Sequence, residues 1–138
     1  MEVINQVIPG REQAMAFFGG VEDGPFVMVN LLKFKPRAEY EDGSDGHLTG
    51  AEAYFRYGEE VRKLVEGLGG QIRYSGAVTG LMLGEVEELW DMVALAEYPS
   101  LVAFRNMAMS PTMHAIEHHR KAGLAGQLNI RTKPGEGF

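Results

Sequence analysis

The chain's apolar positions follow two rhythms. Residues 26–34, Phe-Val-Met-Val-Asn-Leu-Leu-Lys-Phe, are rich in strand-favouring side chains and apolar at nearly every position, which predicts a central strand buried on both faces. Tyr54, Tyr57, Val61, Leu64 or Val65, and Leu68 instead recur at three- and four-residue spacing, with Glu52, Arg56, Glu59, Glu60, Arg62 and Lys63 on most of the other face. That spacing predicts an amphipathic helix lying on something flat. Thr49-Gly50-Ala51-Glu52 has the form of a capping box and starts it, and Gly69-Gly70 ends it.

Residues 71–83 and 89–98 read as two strands joined across residues 84–88, the first of them bent at Gly76 and Gly80. Ser100 after Pro99, and Ser110 before Pro111, each open a short helix. Residues 124–132 supply a last strand, with Leu128 and Ile130 on one face and Asn129 and Arg131 on the other. Residues 1–24 read as an apolar arm ending at Pro9-Gly10, followed by a short helix from Arg11 to Phe18 that stops at Gly19-Gly20. Residues 36–49 are polar and glycine-bearing and predict a mobile loop, and residues 133–138 a flexible tail.

The order strand, helix, strand, strand, helices, strand is that of an α+β, ferredoxin-like split βαβ fold: one domain over residues 1–138, with a four-stranded antiparallel sheet and helices on one face. A one-sided sheet alternates apolar and polar positions, yet residues 26–34 and 92–96 are apolar on both parities. Something covers the second face. A second copy of the same sheet is the economical cover, because a two-fold contact buries the same patch twice, over an area of at least ~1,200 Å².

Composition narrows the partners. A formal charge of −6 and a pI near 5.2 leave no basic field for nucleic acid or anionic membrane. The absence of cysteine excludes disulfides, thiolate metal sites and cysteine nucleophiles. The first residues lack the basic and apolar regions of a secretory signal, so the cytoplasm is the expected location.

Several spaced motifs together resemble domain-of-unknown-function family thirteen-thirty, within the dimeric α/β-barrel superfamily. They are Met28-Val29-Asn30-Leu31-Leu32-Lys33-Phe34, Tyr54 and Tyr57, Ser75-Gly76, Trp90-Asp91, Glu97-Tyr98-Pro99-Ser100, Ser110-Pro111 and His119-Arg120. The similarity runs from about Pro25 to the last strand. It implies two ferredoxin-like subunits packed sheet to sheet, and it brings no established catalytic residues. The wider superfamily includes cofactor-free monooxygenases, lactone isomerases and haem-binding enzymes, a breadth that carries only analogy.

Among motifs with chemistry, His114-Ala115-Ile116-Glu117-His118 spells H-x-x-E-H, an inverted zinc-protease pattern. With Met113, Ile116 and Arg120 as the inward stripe, His114, Glu117, His118 and Lys121 fall on the outward face, so no metal site is expected. Residues 42–46 lack the alternating acidic ligands of a calcium loop, and Ala53 stands where its twelfth-position glutamate would be. No attachment motif supports haem, and no cofactor is expected.

Polar groups at positions where the pattern expects apolar ones remain: Asn30, Tyr54, Tyr57, His119 and Arg120. Two readings follow. In the structural one, Arg120 binds carbonyls or a carboxylate such as Asp91, and the tyrosines are core residues with wet hydroxyls. In the functional one these groups line a pocket for a small organic acid or carbonyl compound, walled by Trp90 and Phe104. Arg120 is then the anion anchor, His119 a proton carrier, and Tyr57 and Asn30 hydrogen-bond donors to a carbonyl or enolate. The candidate catalytic residues are His119, Arg120 and Tyr57, and the candidate binding residues Asn30, Tyr54, Tyr57, Trp90 and Arg120. The chemistry would be proton transfer or cofactor-independent oxygenation; a non-catalytic binding or structural homodimer is the alternative.

Overall fold

The computed structural model of the chain describes residues 2–22, 24–135 and 137. Along it run α1 (Arg11–Phe18), β1 (Phe26–Phe34), α2 (Gly50–Gly67), β2 (Gln71–Ala77), β3 (Met92–Tyr98), α3 (Leu101–Ala108), α4 (Pro111–Gly123) and β4 (Leu124–Thr132). The strands form one antiparallel sheet in the order β2-β3-β1-β4, the ferredoxin-like arrangement expected from the element order. The twice-apolar strand β1 lies inside the sheet between β3 and β4.

Strand parity decides which side chains meet the helices. Phe26, Met28 and Leu32 face them, in register with Tyr98, Ala96 and Met92 of β3. Phe26, Met28, Ala96 and Tyr98 join Val65 of α2, Leu101 and Met107 of α3, and Met113 and Ile116 of α4 in the main core. The opposite parity presents Val27, Val29, Leu31, Val93, Leu95, Leu128 and Ile130 on a face that no helix among the described residues covers.

The helix boundaries follow their punctuation. Thr49 Oγ1 accepts from the Glu52 N–H at 3.1 Å and Glu52 Oε1 from the Thr49 N–H at 2.9 Å, completing the capping box of α2. Ser100 and Ser110 cap α3 and α4 in the same way, through the N–H groups of Ala103 and Met113.

Two expectations fail. Strand β2 stops at Ala77 rather than at residue 83, and β3 begins at Met92 rather than at residue 89. Asp91 closes this end of the sheet: its N–H donates to the Leu32 carbonyl, its carbonyl accepts from the Val78 N–H, and its carboxylate accepts from the Phe34 N–H. Residues 78–91 therefore form a long loop carrying Leu81, Met82 and Leu83 into solvent. The irregularity in β2 lies between Ile72 and Tyr74, not at Gly76 or Gly80; Gly76 instead leaves room for the Tyr74 ring, and Gly80 lies outside the strand.

The second failure is the loop 36–49, which is held rather than mobile. Ala38 is buried, its N–H donates to the Leu48 carbonyl, and the Glu39 N–H donates to the Ala122 carbonyl of α4, each at 2.9 Å. Ala38, Ala53 and Ala122 make a second small core with Tyr40 and Leu48. The N-terminal arm lies on the outer edge of β4, where the Gln127 N–H donates to the Gln6 carbonyl at 2.9 Å. Of the tail expected over 133–138, Glu136 and Phe138 lie outside the described residues.

Candidate ligand site

Helix α4 and strand β4 place the polar groups. Three residues apart on α4, Met113 and Ile116 face the core, and Arg120 continues their stripe with a side chain only 14% exposed. Beyond the turn at Gly123, Gln127, Asn129 and Arg131 face the helices, opposite Leu32, Asn30 and Met28 of β1. The edge strand is thus polar on its inner side, where Arg120 arrives.

Arg120 Nη1 donates to the Val7 carbonyl of the arm and, at 3.3 Å, to Glu117 Oε1, while Nη2 donates to Gln127 Oε1 at 2.5 Å. Gln127 Nε2 then donates to Asn30 Oδ1 at 2.8 Å, and Asn30 Nδ2 to the carbonyls of Met28 and Ala94 at 3.4 and 3.3 Å. A guanidinium offers five N–H donors, and three are directed to these partners. Among the described residues, the Nε–H and one Nη2–H remain without a partner.

A cavity of about 380 Å³ opens beside Arg120. Phe17, Phe18 and Phe104 form its aromatic wall, Ile4 and residues 6–9 of the arm its outer side, and Gln13, Asn129 and Gln127 are neutral polar groups on the lining with Arg120. Among the described residues that line it, Arg120 is the one charged side chain, and no carboxylate, histidine or tyrosine is present.

The structure joins some of the predicted site residues and separates others. Asn30 and Arg120 share one network, although Asn30 stands behind Gln127 rather than in the cavity. Tyr54 and Tyr57 pack along α2, with ring centroids 5.5 Å apart and Phe34 5.5 Å from Tyr54. Burial pushes the Tyr54 hydroxyl up to about 12 against the opposing pull of Arg120. Burial, and then Tyr54, raise Tyr57 further, and its hydroxyl donates to Met113 Sδ at 3.7 Å. Both tyrosines are therefore neutral donors near neutral pH, not bases.

His119 does not accompany Arg120. Successive helical side chains point about 100° apart, and the His119 Nδ1 meets the Tyr40 hydroxyl of the 36–49 loop at 2.7 Å. Trp90 and Phe104 share no wall either. Phe104 packs on Phe26 and Tyr98 at one end of the β1–β3 ladder, whereas Trp90 precedes Asp91 at the other. The Trp90 Nε1–H is buried without an acceptor among the described residues. Arg120 finds the Val7 carbonyl and the Glu117 carboxylate rather than Asp91, which pairs with Lys33 at 3.5 Å.

Of the H-x-x-E-H residues, His114 and His118 are exposed as expected, but Glu117 is half-buried and turned to Arg120. Among the described residues no three histidine or acidic side chains stand close enough to hold a metal ion. A second, more open cleft of about 640 Å³ is lined by Lys33, Lys35, Glu88 and Asp91. Its lysines are already engaged, Lys33 by Asp91 and Lys35 by Glu39 at 3.2 Å.

The residue missed from the sequence is Gln127, the hub of the network. Its signal was present in the last strand, since it shares the parity of Asn129 and Arg131 opposite Leu128 and Ile130.

No family model and no curated protein matches the chain. Among solved structures, the Rhodopseudomonas palustris protein RPA0582, of unknown function, is 36% identical; the match covers 97% of this chain and 100% of that one with a TM-score of 0.84. The methylated RPA0582 protein matches at 36% identity over 96% and 98% of the two chains, with a TM-score of 0.86. A dimeric ferredoxin-like protein of unknown function from Thermobifida fusca, 14% identical over 80% of this chain and 91% of that one, shares the fold at a TM-score of 0.51. With more than a third of its residues identical over nearly the whole length of both chains, this chain belongs to the family of RPA0582.

Proposed function

We propose that the chain is a single-domain homodimer, paired through its open sheet face, that binds a small organic acid or carbonyl compound in the cavity beside Arg120. The observation that carries the binding reading is the placement of Arg120: a mostly buried cation, with two N–H groups undirected among the described residues, in a cavity whose other lining side chains are aromatic, aliphatic or neutral polar. The pairing rests on the uncovered apolar face of β1, β3 and β4, and the Thermobifida fusca neighbour is described as dimeric. The family thirteen-thirty resemblance agrees with the pairing. The absence of cysteine supports a cytoplasmic location, and no helix among the described residues is long and apolar enough to cross a membrane.

Proton transfer or cofactor-independent oxygenation would require a proton acceptor at the ligand. The lining residues carry none, Tyr54 and Tyr57 are held protonated, and His119 is turned to Tyr40. Binding without turnover is therefore the favoured reading, and Tyr57, Tyr54 and Trp90 lie outside the residues that line the cavity.

A native mass spectrum of gently purified protein tests both halves. A species of twice the chain mass carrying a small acidic adduct is expected, and Arg120→Met should lose the adduct while keeping the dimer. An adduct that survives Arg120→Met would make the residue structural and overturn the binding site.

A further inference from the structure

We infer that the ligand is a monocarboxylate with a flat apolar body, and that residues 2–9 of the arm are a strap closing over that body, latched by the Arg120–Val7 bond. This rests on the binding reading above and adds to it a ligand class and a moving part.

Charge sets the head group. Arg120 is the lone cation among the described residues of the lining, and Glu117 at 3.3 Å already offsets part of its charge. One carboxylate oxygen pair fits the remaining N–H groups. A dianion such as phosphate would leave excess negative charge in a part-buried place, which is costly without further cations.

Shape sets the body. Phe17, Phe18 and Phe104 meet one another edge-on or stacked, with centroids 5.4 to 5.7 Å apart. A planar ring entering the cavity extends that cluster at the same spacing, as aromatic rings prefer. A volume of about 380 Å³ suits a ring-bearing acid of a few carbons beyond benzoate and excludes a dinucleotide.

The arm's attachments identify it as the part that moves. Ile4, Val7, Ile8 and Pro9 line the cavity, yet Ile4 is 68% and Ile8 54% exposed. The arm is tied to the sheet through the Gln6 carbonyl on Gln127 and to α4 through the Val7 carbonyl on Arg120. Both anchors are polar residues of the ligand site. A carboxylate held by Arg120 therefore shares the guanidinium that positions the arm through Nη1, and its apolar body buries Ile4 and Ile8, which are exposed without it.

Benzoate is the first probe, with hexanoate and inorganic phosphate as comparisons, read by calorimetry and by amide hydrogen exchange on the full chain. Benzoate should bind at least tenfold tighter than phosphate and more tightly than hexanoate, and should raise protection across residues 4–9. Ile8→Ser, at an exposed position, should weaken benzoate several-fold, and deletion of residues 2–8 should weaken it roughly tenfold or more. Phosphate or hexanoate binding as tightly as benzoate would overturn the ligand class. Unchanged protection of residues 4–9 together with wild-type affinity in both variants would overturn the strap and leave the Arg120 anchor standing. If no carboxylate binds the wild type, the binding reading falls, and this inference with it.

Discussion

Gln127 Nε2 donates to Asn30 Oδ1 at 2.8 Å, and this bond gives the polar chain its direction. Asn30 Nδ2 is turned toward the Met28 and Ala94 carbonyls of the β1–β3 ladder, so Oδ1 must face Gln127. Gln127 must then present Oε1 to Arg120. The sheet backbone thus orients the guanidinium through two side-chain amides.

Asn30→Leu should release Gln127 to rotate and so lower ligand affinity about tenfold, the equivalent of ~1.4 kcal/mol. It should also lower stability by about 1–3 kcal/mol, the range for stranding a part-buried polar group. Asn30→Asp should not rescue binding near neutral pH. Its carboxylate accepts from Gln127 but sets a second oxygen against the Met28 and Ala94 carbonyls. Titration calorimetry with benzoate, beside urea unfolding, separates the two effects; wild-type affinity in Asn30→Asp would show that amide polarity is irrelevant.

His119 makes stability depend on pH. Burial first, then the charges of His118 on α4 and Arg56 on α2, hold its imidazole below the ordinary value of 6.5, with Asp45 of the loop opposing them. A histidine lowered in the folded state binds fewer protons there than when unfolded, so stability rises with pH across that window. The contribution is complete above 6.5 and is lost as pH falls through the lowered folded value. Urea midpoints between about pH 7.5 and 5.5 should fall for the wild type and fall less for His119→Gln. Equal slopes would remove His119 as the source.

Local chemistry made most of the fold legible. The Thr49–Glu52 box, the Ser110–Pro111 pair and the parity of Leu128 and Ile130 each depend on residues a few positions apart. What failed depended on remote partners. The 36–49 loop is ordered by Ala122 and His119, which no local composition reveals. Residues 78–83 are apolar enough for a strand, but Asp91 ends the ladder before they can join it. At the site, Asn30 and Arg120 were legible as polar residues on apolar stripes. Joining them required the β1–β4 register that places Gln127 opposite Leu32. Pairing His119 with Arg120 in one pocket conflicted with helix geometry itself.

Leu95→Glu tests the sheet pairing. Leu95 lies on the open face between Val29 of β1 and Tyr74 of β2. In a two-fold face-to-face contact the substitution buries two like charges, at several kcal/mol per ion. The variant should sediment as a folded monomer at concentrations where the wild type is dimeric. A dimer of unchanged affinity would place the contact elsewhere.

Two glycines of α2 should respond to alanine with opposite signs. Gly50 sits where the start of α2 crosses the end of α4, its N–H donating to the Lys35 carbonyl at 3.1 Å while the Lys35 N–H donates to the Gly123 carbonyl at 2.8 Å. A Cβ on Gly50 would run into both of those carbonyls, and backbone cannot step aside as a flexible side chain can. Gly58, in the middle of the same helix, has open space where its Cβ would stand. Gly58→Ala should therefore stabilise by about 0.5–1 kcal/mol, the helix cost of glycine. Gly50→Ala should destabilise by about 1–3 kcal/mol or more, as overpacking does. Because Arg120 lies on the last turn of α4, Gly50→Ala should also weaken benzoate binding, whereas Gly58→Ala should leave it unchanged. Thermal unfolding and calorimetry on the two variants read both consequences. A stable Gly50→Ala variant with wild-type affinity would mean that the α2–α4 crossing does not set the position of Arg120.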